Sequence, residues 1–78
     1  RVNAIAPGAI PGRGFDAKGG AFDRLTRCTS LGRLGTPEDI AGMALALVCE
    51  RFSAYVTGTT VAVDGGLALH NWIEPPVL

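Results

Sequence analysis

The chain has 78 residues, seven basic and seven acidic side chains, no formal net charge, and a hydrophobic share of 47%. Short chains hide a low fraction of their surface, so this apolar content points to surface meant for a neighbour, either the rest of a domain or a partner subunit. The scattered charges give no long-range attraction to nucleic acid or an anionic membrane, no 18-residue apolar run marks a membrane helix, and nothing reads as a secretory leader.

The chain opens on Arg1 rather than Met, directly onto an apolar segment, and reads as a truncated sequence. Arg1–Ala6 alternates, with Val2, Ala4 and Ala6 on one side and Arg1, Asn3 and Ile5 on the other. That pattern predicts a short, mostly buried strand, stopped by Pro7 and Gly8. Residues 7–20 are too rich in Pro and Gly for a regular element and read as a loop. Ala21–Thr29 carries Phe22, Leu25 and Thr26 or Cys28 at helical spacing and predicts a short helix.

Thr36 suits a helix N-cap and Pro37 the first helical position. Glu38 and Asp39 place negative charge against the positive end of the helix dipole, and Asp39 stands where a capping box needs it. Ile40, Met43, Ala44, Leu47 and Val48 then form an apolar stripe, with Leu45 off it, and the helix is expected to end near Cys49 or Glu50. Tyr55–Gly58 reads as a turn. Thr59–Val63 is β-branched and alternating, a strand ended by Asp64, Gly65 and Gly66. The tail, Leu67–Leu78, with Trp72, Pro75 and Pro76, is expected to lie across a surface or a partner. Cys28 and Cys49 form no CxxC and read as two reduced thiols. The order of elements is one βαβ unit of an α/β fold, whose strands want further strands beside them.

Three stretches resemble short-chain dehydrogenases/reductases. Arg1-Val2-Asn3-Ala4-Ile5-Ala6-Pro7-Gly8 looks like that family's strand-to-loop segment. Leu31-Gly32-Arg33-Leu34-Gly35-Thr36-Pro37-Glu38-Asp39-Ile40-Ala41 is similar to the entry into its last long helix. Tyr55–Gly66 is similar to its last strand and the end of that strand. Three such motifs in order cover nearly the whole chain except the tail.

The resemblance implies the C-terminal portion of a doubly wound Rossmann-type parallel sheet: strand, lid loop with short helix, long helix, strand. Residues 1–78 would be the C-terminal part of one NAD(P)-binding domain. The implied activity is reversible carbonyl–alcohol hydride transfer with NAD or NADP, in a cytoplasmic homo-oligomer acting on a small carbonyl or alcohol. The family's phosphate-binding glycines and its catalytic Ser, Tyr and Lys lie upstream of the first motif. Tyr55 is followed four residues later by Thr59, not Lys, so this chain is expected to hold no catalytic residue and to be inactive alone.

The same resemblance assigns Pro7, Gly8, Ile10 and Gly12 to the nicotinamide end of the cofactor, with backbone groups near Ile10 at the carboxamide. Many family members carry Thr where this chain has Gly12, which removes one hydroxyl contact, and Ser30 stands where Pro is common. The segment from Arg13 to Thr29 corresponds to the substrate lid. Phe15, Phe22 and Leu25 would line an apolar pocket, and Arg13, Lys18, Arg24 and Arg27 would meet an anionic substrate. The plainer reading, that these are solvated charges and small-core anchors, is favoured.

Other signals favour plain readings. Gly8, Gly12 and Gly14 match the spacing of a phosphate loop, but Pro11 and the lack of a helical stripe after it argue against one. His70 has no ligand partner at metal spacing. Asp64 before two glycines reads as a turn former that bonds its own backbone. Leu45, Leu67, Leu69 and Trp72 suggest a subunit contact. The competing overall reading is a complete, non-catalytic oligomerisation or binding module derived from the same family.

Overall fold

A computed structural model describes residues 1–12 and 20–70. Ala4–Pro7 (β1) and Thr60–Val63 (β2) pair in parallel, with Ala4 opposite Thr60 and Pro7 opposite Val63. Between them the chain forms Gly20–Cys28 (α1), Pro37–Val48 (α2) and Glu50–Ser53 (α3), and a 3-10 turn over Leu67–Leu69 follows β2. This is an α/β arrangement in which α2 packs across both strands.

Pleat alternation sorts the sheet residues. Ile5, Val61 and Val63 are half-buried beneath α2, while Ala4, Ala6, Thr60 and Ala62 are exposed. The expected burial of the first strand is therefore corrected. A helix covers one face of the two-stranded sheet, and nothing described covers the other. No hydrophobic side chain among the described residues is fully buried, and Val2, Leu45, Val48, Phe52 and Leu69 are all more than two-thirds exposed.

Polar contacts join the start of the chain to the segment before β2. The Arg1 guanidinium donates to the carbonyls of Leu47 at 3.0 Å, Ser53 at 2.7 Å and Val56 at 3.0 Å. The Asn3 amide donates to the Val56 carbonyl at 3.1 Å, and its oxygen accepts from the Thr59 N–H at 3.1 Å. Asn3 thus serves as a side-chain rung in line with the ladder, ahead of the main-chain bond from Ala4 to Thr59 at 2.9 Å.

The α2 start forms as its sequence dictates. Thr36 Oγ1 accepts from the Asp39 N–H at 3.3 Å, and Asp39 Oδ2 accepts from the Thr36 N–H at 2.8 Å, a complete capping box. Arg33 then grips both oxygens of Asp39, at 2.8 and 3.0 Å. The Arg33 hydrogen bond, with the Thr36 N–H behind it, holds the Asp39 carboxyl well below the usual carboxylate range.

The other end of α2 falls at Cys49 as expected, with one correction. Val48 is 74% exposed, so the packed stripe is Ile40, Met43, Ala44 and Leu47. The helix also does not simply stop: Cys49 adopts extended backbone and α3 follows at once. Ser53, only 6% exposed, explains the join. Its Oγ lies 2.8, 2.9 and 3.1 Å from the carbonyls of Ala46, Leu47 and Cys49; the first two are acceptors that the end of α2 leaves without a helical partner.

Cys28 and Cys49 are free thiols. No helix among the described residues is long and apolar enough to cross a membrane. The tail from residue 71, with Trp72, Pro75 and Pro76, lies outside the described residues.

Ser53→Ala removes the hydroxyl donor from the Ala46 carbonyl, while the Leu47 carbonyl keeps Arg1 and the Cys49 carbonyl keeps the N–H groups of Phe52 and Ser53; it is expected to cost about 1 kcal/mol, read as a lower denaturation midpoint of the protein at its native length. Asp39 titrates lower folded than unfolded, so its stabilisation is complete above the unfolded carboxylate value of about 3.9 and fades as pH falls below it. Asp39→Asn is therefore expected to lower Tm at neutral pH. The gap to the wild type should close on acidification below about pH 4.

Candidate functional site

Parallel pairing brings the carboxyl ends of β1 and β2 side by side, the end of such sheets where ligands bind. The Gly8 N–H donates to the Val63 carbonyl at 3.0 Å, which extends the ladder one residue past the strands. Gly8 is required there. A Cβ on it would lie 2.6 Å from both Cα and Cβ of Asp64, closer than atoms can pack. The loop then turns over the start of α2, where the Ala9 carbonyl accepts from the Gly35 N–H at 3.0 Å.

These contacts enclose a cleft of about 140 Å³, bordered by Gly8, Ala9 and Ile10 on one side, Asp64 and Gly65 on another, and Thr29, Leu31, Arg33 and Asp39 on the rest. Gly8 and Ile10 therefore border one cleft. Pro7 ends β1 with its ring exposed, and Gly12 is exposed at the edge of the described residues; neither lines the cleft. Within that loop neither the N–H nor the C=O of Ile10 has a hydrogen-bond partner among the described residues.

That combination fits one end of a dinucleotide and no more. Ligand pockets that enclose whole drug-sized molecules run to about 300–1,000 Å³, so this cleft suits a small planar amide. A carboxamide needs one donor and one acceptor, and the Ile10 backbone at the cleft's border has one of each. No helix begins between residues 8 and 12, so nothing there forms the N–H cradle that a pyrophosphate needs. Gly14, the third glycine of that spacing, lies outside the described residues.

On the lid side, α1 turns Phe22, Leu25 and Thr26 to its half-buried face, while Arg24 and Arg27 are exposed. Arg13, Phe15 and Lys18 lie outside the described residues. Thr29, at the base of α1, is 6% exposed, and its hydroxyl donates to the Leu25 carbonyl at 2.7 Å. Its burial escaped the sequence reading, because no local pattern marks a threonine that packs on a turn 36 residues away. Tyr55 is fully exposed. Asp64 bonds its own backbone, as its place before two glycines predicts: Oδ1 accepts from the Gly66 N–H at 2.9 Å. Among the described residues no group of His, Cys, Asp and Glu could hold a metal.

Residues 1–68 match a family model described as enoyl-(acyl carrier protein) reductase. A 3-oxoacyl-[acyl-carrier-protein] reductase, FabG, of Chlamydia muridarum is 46% identical over 72 residues, which are 87% of this chain and 27% of that protein. Among solved structures, a short-chain type dehydrogenase/reductase from Mycobacterium ulcerans superimposes with a TM-score of 0.80 at 36% identity, over 90% of this chain and 26% of that one. A putative D-mannonate oxidoreductase from Haemophilus influenza with bound NAD superimposes with a TM-score of 0.78 at 32% identity, over 94% of this chain and 29% of that one. The chain thus spans less than a third of the length of each of these proteins. Matched over almost its whole length in both sequence and fold, the chain belongs to the short-chain dehydrogenase/reductase family.

Proposed function

We propose that this chain is the C-terminal portion of a NAD(P)-dependent oxidoreductase that interconverts a small carbonyl compound and its alcohol. It supplies the nicotinamide-side loop, Pro7–Gly12, the substrate lid that includes α1, and an oligomer face. The observation that carries this reading is the Ile10 backbone, without a hydrogen-bond partner among the described residues, at a small cleft beside the carboxyl ends of two parallel strands. The NAD bound to the Haemophilus relative supports the cofactor class. The Chlamydia relative supports a carbonyl substrate.

When bound, the cofactor supplies the hydride. The residues of this chain orient it. Ile10 offers its N–H and C=O to the carboxamide, and Gly8 lets the loop lie flat on the β2 end. The half-buried face of α1, with Phe22 and Leu25, excludes water from the substrate side. No residue here performs proton transfer: Tyr55 lies in solvent and has no lysine four residues on. Leu45, Val48, Phe52 and Leu69 are all exposed, and apolar side chains left in solvent suit burial against a second subunit, in a soluble cytoplasmic homo-oligomer.

The test is a fluorescence titration of the native-length protein with NADH and with NADPH, followed by hydride-transfer assays on acetoacetyl thioester and oxosteroid probes. Saturable binding of either dinucleotide is expected. Gly8→Ala must push the loop off Asp64 and is expected to weaken that binding at least about tenfold, since misplacement by an ångström can cost far more. The 78-residue chain alone is expected to turn over neither probe. Absence of dinucleotide binding by the native-length protein would overturn the reading.

A further inference from the structure

Three segments of the site meet at one residue outside the assigned cofactor contacts. The main chain and Cβ of Asp64 abut Gly8 of the nicotinamide-side loop. Its carboxylate accepts from two N–H groups of the following turn, Gly66 at 2.9 Å and Ala68 at 3.0 Å. Its carbonyl accepts from Leu67 at 3.1 Å. The turn also keeps a main-chain bond from the Leu69 N–H to the Gly66 carbonyl at 3.0 Å, but Gly65 and Gly66 both take left-handed φ, +62° and +89°, and glycine has more backbone freedom to lose than any other residue.

The base of α1 rests on that turn. The Leu31 N–H donates to the Gly65 carbonyl at 3.0 Å. A Cβ on Gly65 would lie 2.7 Å from the Thr29 methyl, and one on Gly66 would lie 2.6 Å from Ser30 Oγ. Thr29 in turn belongs to the last turn of α1 through its N–H and hydroxyl bonds to the Leu25 carbonyl. An unbroken series of contacts therefore runs from Gly8 through Asp64 and the glycine turn to Thr29 and α1.

We propose that Asp64 is a positioning residue that sets the base of the lid helix against the nicotinamide-side loop. The proposal rests on the reading of α1 as lid and of Pro7–Gly12 as cofactor loop. Its two functions divide within the residue. The main chain and Cβ support Gly8, and the carboxylate fixes the turn that carries α1.

Limited trypsin digestion of the native-length protein separates these roles, read after Arg24 and Arg27 in α1 and after Arg51 in α3, together with NADH and NADPH titrations. Asp64→Ala keeps the Cβ beside Gly8 but frees both N–H groups. It is expected to speed cleavage in α1 about tenfold through local opening, with cleavage at Arg51 unchanged. Asp64→Asn keeps one good acceptor oxygen and should fall between. Gly65→Ala leaves the carboxylate intact and should open α1 by its clash with Thr29; adding Thr29→Ser removes that methyl and should restore part of the protection. Unchanged cleavage in α1 for both Asp64→Ala and Gly65→Ala overturns the proposal. So does equal acceleration at Arg51, which would assign Asp64 a merely structural role. A wild type that binds neither dinucleotide overturns the cofactor reading instead, while the digestion still decides whether Asp64 holds α1.

Discussion

Parallel strands can share a carboxyl-end site only if the chains leaving them find room for each other, and here the room comes from an absent side chain. Gly8 leaves β1 directly against the backbone of Asp64, which leaves β2. With any side chain at position 8, one of the two exits must shift. Both exits carry the site: the first leads to Ile10, the second to the turn under α1. The hydrogen bond from Gly8 to Val63 prolongs the ladder into this region, so the precision of the sheet is passed on to the loops rather than lost at their first residue.

A chain that buries no hydrophobic side chain among its described residues is held in register by other means. Arg1 and Asn3 satisfy carbonyls and an N–H that would otherwise be open where α2, α3 and the segment before β2 converge. Net contributions of such bonds are about 1 kcal/mol each, and about 1.5–3 with a charged partner. They specify a geometry but cannot replace a core, because ordering costs about 1.5 kcal/mol per residue. The bare face of Ala4, Ala6, Thr60 and Ala62 and the exposed side chains of α2 and α3 fit a unit designed to be covered. This agrees with a chain that spans under a third of its relatives.

Features governed by neighbours in sequence were legible, and features governed by distant contacts were not. The α2 start was readable from Thr36 to Asp39 because a cap is a matter of four consecutive residues. The Thr60–Val63 strand was readable from β-branching and alternation. Asp64 declared itself a turn former because its partner is two residues on. By contrast α3, with the polar sequence Glu-Arg-Phe-Ser, carries no periodic signal, and it exists because Ser53 meets carbonyls at the end of α2. Val48 fits the helical stripe by spacing, yet α2 runs past the edge of a two-stranded sheet and leaves it in solvent. In the site, sequence placed Gly8 and Ile10 where a cleft forms, but gave no sign that Thr29 and Leu31 close its other side. Those residues arrive through packing on Gly65.

The joints of this site are main-chain joints. Gly8 to Val63, Gly35 to Ala9 and Leu31 to Gly65 are all N–H to C=O bonds, and the groups that Ile10 presents are also backbone. Such bonds fix spacing whatever side chains the bonded residues carry, except where a Cβ would not fit. The arrangement therefore separates two demands that usually compete. On the proposed reading, the cofactor end needs fixed distances, which glycines and backbone bonds supply. The substrate side needs variety, which the side chains of α1 can provide. Asp64 is the exception, since its carboxylate accepts from two N–H groups of a turn whose two glycines take left-handed φ. On that reading, the substrate can change through α1 alone, provided that residues 8, 64 and 65 keep their shapes.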